Sequence, residues 1–150
     1  MLGVSVNQLA DYLGGKLTDF GNDSDTLVES LMVGGLWMDA GEVHFGLRSN
    51  KAVVARGDRP DIQMAALGTS TSCLVLTGGI EPIEYIVNEA RELETPIITV
   101  ASDTLSTMEN ISDLPRIASF DHSKKLGVFV ALLDNCVELE TIYRKLGAIE

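Results

Sequence analysis

Apolar and polar positions along this chain follow two rhythms, one helical and one extended, and their order sets the expected architecture. The segment from Val6 to Leu13 reads as a short amphipathic helix, with Ser5 placed to cap its start and Gly14 and Gly15 to end it. Gly21 to Asp25 is a cluster of turn-forming residues. Leu27 to Val33 is largely apolar and short, which predicts a buried strand. Gly34 and Gly35 follow as a loop, and Asp39 is placed to cap a helix running to about Leu47.

Three strand–turn–helix units come next. Ala52 to Arg56 predicts a strand, then Gly57-Asp58-Arg59-Pro60 a turn, then a helix to about Leu67. Cys73 to Leu76 predicts a second strand, followed by Thr77-Gly78-Gly79 and a helix from about Pro82 to Leu93. Ile97 to Ala101 predicts a third, followed by Ser102-Asp103 and a helix from about Thr104 to Ile111. Strands alternating with helices at this spacing predict an α/β fold, a mostly parallel sheet with right-handed crossovers. Short β-branched runs such as Ile97-Ile98-Thr99-Val100 suit strands covered on both faces.

The tail reads as helical over about residues 123–147. Leu126, Phe129, Val130 and Leu133 form an apolar stripe expected to pack as core, and Val137, Ile142 and Leu146 continue on a second helix. Asn135 and Glu138 are spaced as a capping box for that second helix. Without repeats or low-complexity tracts, residues 1–150 are expected to form a single domain.

Composition narrows the function classes. The formal net charge of −11 argues against nucleic-acid binding, which needs a basic surface to displace counterions. A local basic group can still hold a small anion against the global sign. The apolar run from Val128 to Leu133 is far too short to span a bilayer, and the first residues lack the pattern of a signal peptide. The expected location is therefore cytoplasmic, where Cys73 and Cys136 would stay reduced and buried. Two cysteines and the distant His44 and His122 do not make a metal site, and no cofactor is expected. His122 beside Asp121 reads as a local hydrogen bond, and Trp37 as a residue packed on the sheet or at a subunit contact.

In a parallel α/β sheet, ligands collect beyond the carboxyl ends of the strands. The three loops expected there carry Asp58, Arg59, Thr77, Gly78, Gly79, Ser102, Asp103 and Thr104. Gly78 and Gly79 allow positive φ and close backbone approach, and a helix start behind them would favour an anion. Arg59 carries a planar fork of donors suited to phosphate or carboxylate. Asp103 is an acceptor for ribose or amide groups, and Thr77 and Thr104 supply hydroxyls. Each residue also has a local reading: Asp103 as a helix cap, Arg59 as the ion-pair partner of Asp58 or Asp61, and the glycines as turn formers.

Gly57-Asp58-Arg59-Pro60-Asp61, then Leu74-Val75-Leu76-Thr77-Gly78-Gly79, then Asp103-Thr104 with Ser106 and Thr107 together resemble the signature of the DRTGG domain. The five residues that name the family match Asp58, Arg59, Thr77, Gly78 and Gly79, and the resemblance runs from about Val28 to Ile111. It implies a three-layer fold similar to the N-terminal domain of HPr kinase/phosphorylase. Such domains accompany some phosphate acetyltransferases and CBS-type inorganic pyrophosphatases, and also occur alone. The resemblance therefore implies a non-catalytic module that regulates a partner enzyme, works as a homodimer and takes a nucleotide or other phosphorylated ligand.

Two further readings differ in class. A structural homodimerisation module without a ligand would use the helix around Trp37 to Phe45, or the C-terminal helices, as its interface. An enzyme has the least support. Gly14-Gly15-Lys16 lacks the earlier glycine of a P-loop and ends a helix instead of starting one, and no Gly-x-Ser-x-Gly elbow occurs.

Overall fold

A computed structural model of the chain describes residues 3–21, 26–35, 41–112 and 123–136. The chain divides into two compact units, residues 1–118 and 119–150.

In the first unit, strand β1 (Val4–Ser5) leads into helix α1 (Val6–Leu13). The helix starts in a capping box: Ser5 accepts from the Gln8 amide while Gln8 accepts from the Ser5 amide. It stops where Gly14 turns left-handed at φ 60°. Strand β2 (Lys16–Thr18) follows, a three-residue edge strand where only a helix end was expected. The expected strand over Leu27–Val33 is two pieces, β3 (Leu27–Val28) and β4 (Ser30–Val33), because each pairs with a different partner. β3 joins β1 in a small antiparallel ribbon, whereas β4 enters the main sheet.

Helix α2 (Gly41–Gly46), strand β5 (Lys51–Arg56), helix α3 (Pro60–Leu67), strand β6 (Thr71–Thr77), helix α4 (Glu84–Glu92), strand β7 (Ile97–Thr99) and helix α5 (Thr104–Ser112) follow among the described residues of the unit. The main sheet has five strands in the order β2-β7-β6-β5-β4, parallel except for β2. Consecutive strands lie side by side, so right-handed crossovers place α2, α3 and α4 on one face. α1 and α5 must then cover the other.

The two cores follow this division. Val53, Ala55, Leu74, Leu76 and Ile97 pack with Phe45, Ile62, Ala66, Ile86 and Ala90 of the crossover helices. Ala52, Val54, Cys73, Val75 and Ile98 pack with Val6, Leu9, Ala10 and Ile111 of α1 and α5. Neighbouring residues of one strand thus serve opposite cores, the period-two alternation of an extended chain. The expected three-layer α/β architecture is the one observed. At the amino end of β5, the buried Lys51 donates from Nζ to Thr69 Oγ1 (3.0 Å) and Ser70 O (2.7 Å). Burial pulls its pKa down.

Of the second unit, helix α6 (Ser123–Cys136) is described. Leu126, Phe129 and Val130, expected to be core, are each about half exposed. The expected second tail helix, Trp37, Asp39 and His122 lie outside the described residues.

A candidate ligand site at the carboxyl edge of the sheet

All four parallel strands end on the same edge, and three loops gather there. Arg56 closes β5 and Thr77 closes β6, and the two are neighbours in register. Because Ala55 and Leu76 face the crossover helices, Arg56 and Thr77 fall on the opposite side, toward α5.

The backbone of this edge is tied from strand to strand. The Gly57 amide donates to Thr77 O (3.1 Å), Gly78 to Ser102 O (2.9 Å) and Gly79 to Val100 O (2.8 Å). Gly78 and Gly79 adopt φ of 87° and 67°, a region that side chains disfavour. Their amides are thus engaged within the fold rather than turned to a ligand. α4 begins only at Glu84, so no helix start lies immediately behind the glycines. Gly57 is needed for another reason. A Cβ there would stand 2.4 Å from Ile80 O, so the loops after β5 and β6 pack backbone to backbone.

Helix α5 is held at its start by side chains from the third loop. Asp103 accepts from the Ser106 amide (2.8 Å) and so caps the helix. That bond holds its carboxyl below the usual carboxylate range. Thr107 Oγ1 donates to Asp103 O (2.7 Å) and shares a hydrogen bond with Ser102 Oγ (2.7 Å). Thr104, the first residue of α5, shares a 2.8 Å hydroxyl bond with Thr77. This bond links the end of β6 to α5 across 27 residues of chain.

Between these elements lies an open hollow of about 540 Å³, lined by Arg56, Thr77, Gly78, Ile80, Asp103, Thr104 and Leu105. Its volume falls in the range of small-molecule sites, about 300–1,000 Å³. Thr77, Gly78, Asp103 and Thr104 were named from sequence and meet here. Gly79 adjoins through its bond to Val100. Asp58 and Arg59 are not in the lining. Arg59 forms a two-pronged ion pair with Asp61 (2.9 and 2.8 Å), which raises the pKa of Arg59 and lowers that of Asp61.

The arginine in the hollow is Arg56, which sequence reasoning missed. Its guanidinium is paired with Asp58 at 2.9 and 2.5 Å. The signal was present in the chain: a charged residue closing a strand whose preceding four residues, Ala52 to Ala55, are apolar. Ile80 and Leu105, 43% and 67% exposed, add apolar walls that sequence also left unnamed.

Among the described residues no group of three or more His, Cys, Asp or Glu side chains could hold a metal ion. No helix of the described residues is long and apolar enough to cross a membrane.

Two comparisons bear on this arrangement. The family model for the DRTGG domain matches residues 8–114. The fold is similar to a crystal structure of the CBS and DRTGG domains of the regulatory region of Clostridium perfringens pyrophosphatase, complexed with its activator diadenosine tetraphosphate. The TM-score is 0.63 at 19% sequence identity, over 78% of this chain and 51% of that one. The present chain therefore spans about half the length of that regulatory region.

Proposed function

The chain belongs to the DRTGG domain family, and we propose that it is a non-catalytic regulatory module sensing a small phosphorylated ligand, such as a nucleotide, at the carboxyl edge of its sheet. The carrying observation is the hollow itself: an arginine, two threonine hydroxyls and a capping aspartate converge where parallel sheets bind ligands. The likeness in fold to a pyrophosphatase regulatory region with a nucleotide activator points the same way. A homodimer acting on a partner enzyme in the cytoplasm completes this reading. Thermal melting against a panel of nucleotides and phosphorylated metabolites tests it. Binding to the folded state at a hundredfold excess over the dissociation constant adds about 2.7 kcal/mol of stability. A flat response across the panel rejects the sensor.

One observation favours a structural module that dimerises without a ligand. On α6, Leu126, Val128, Val130 and Leu132 are each about half exposed, and apolar side chains of this kind form the centres of subunit interfaces. A dimer that melts at the same temperature with every compound supports that alternative.

A further inference from the structure

We infer that Arg56, and not the family-naming Arg59, is the anion-binding residue of the hollow, that Asp58 engages its guanidinium until ligand arrives, and that the site takes a ligand with a single phosphate, of the nucleoside monophosphate class. This inference rests on the ligand-sensing reading of the same hollow and specifies its chemistry.

The two arginines sit three residues apart in matching local geometry, each forked onto an aspartate two positions later. Only Arg56 lines the hollow. A guanidinium fork meets a carboxylate and a phosphate through the same pair of parallel N–H···O bonds. Asp58 therefore holds the pair of donors that a phosphate of the ligand would take. The pair is well exposed, with side chains 65% and 42% accessible. Exposed pairs of this kind hold weakly, so a ligand phosphate can displace the carboxylate.

Charge sets the number of phosphates. Arg56 is the one cation among the described residues that line the hollow, and Asp103 lines it with a negative charge. The chain as a whole carries −11. A second and third phosphate would meet repulsion without compensation. Asp103, an acceptor, suits a ribose hydroxyl, and Ile80 and Leu105 suit the faces of a base.

The exchange has a readable consequence. The buried Gln63 donates from its side-chain amide to Arg56 O (2.9 Å) and Gly57 O (3.1 Å), which pins the backbone under both partners. Transfer of Arg56 to a phosphate is then a side-chain movement that releases the Asp58 carboxylate at the surface beside α3. A protein partner with a basic contact would sense that release.

Calorimetric titration of the full chain with AMP, ATP and inorganic phosphate tests the inference. AMP is expected to bind most tightly of the three. Arg56→Gln should weaken AMP at least tenfold, Arg59→Gln should leave it within about twofold, and Asp58→Asn should tighten it several-fold by freeing the fork. Circular dichroism confirms that each variant is folded. AMP binding that survives in Arg56→Gln, or ATP binding more tightly than AMP, overturns the inference while the sensor reading stands. No heat with any of the three probes overturns the inference, and the melting panel then decides whether the sensor reading falls with it.

Discussion

Arg56 and Asp58 meet twice across Gly57, Nε to Oδ1 at 2.9 Å and Nη2 to Oδ2 at 2.5 Å. Both are largely exposed, and pairs of this kind contribute between about 0 and 1 kcal/mol. Urea denaturation of Asp58→Ala should therefore differ from the parent by less than about 1 kcal/mol. A larger loss would mean that the pair holds the fold together and is not available for exchange.

The Thr77–Thr104 bond should behave differently, since Thr77 is buried. Thr77→Val keeps the shape but leaves the Thr104 hydroxyl without its partner, at a cost of about 1–2 kcal/mol. The same denaturation experiment reads this, with Thr104→Val and the double variant closing the cycle. A coupling near zero would show that the two hydroxyls do not sense one another.

Two glycines of the edge should fail for distinct reasons. Gly78→Ala has room for its Cβ but must hold φ at 87°, which costs roughly 1–2 kcal/mol. Gly57→Ala drives its Cβ against the Ile80 carbonyl, so the loops must part, with a loss of about 1–3 kcal/mol. Adding Ile80→Ala should not rescue Gly57→Ala, because the nearest atom is backbone. Melting temperatures of the single and double variants decide the matter.

Acid should weaken the start of α5. The Asp103 carboxyl is held below its ordinary range by the Ser106 amide, and Asp61 is lowered by Arg59. A depressed folded pKa gives a contribution that is complete above the unfolded value of about 4 and fades as pH falls through the folded one. Asp103→Asn keeps a capping oxygen without the titration, so its melting temperature should fall less steeply below about pH 4 than that of the parent. Parallel curves would remove Asp103 from the acid response.

Much of this architecture was legible because long-range order here follows from local rules. The start and end of α1 were written in Ser5 and Gly14, and the β/α units in short apolar runs broken by turn residues. What was not legible depends on partners. β2 is three residues that extend only because β7 offers an edge beside them. The break at Glu29 exists because the residues before it pair with β1 and those after it with β5. Within the site, Arg56 and Arg59 each have an aspartate two positions later, and it is the alternation of β5 that turns Arg56 toward α5. The amides of Gly78 and Gly79 look available in the sequence, yet the carbonyls of Ser102 and Val100, just past β7, claim them.

The most direct test of the account is a map of backbone amide shifts as AMP is titrated into the isotopically labelled chain. The predicted result is a saturable set of changes at Arg56, Thr77, Gly78, Asp103, Thr104 and Leu105, which line the hollow. Saturable changes centred elsewhere on the protein would contradict a ligand site at this edge, and none up to millimolar AMP would contradict its assignment to a nucleoside monophosphate.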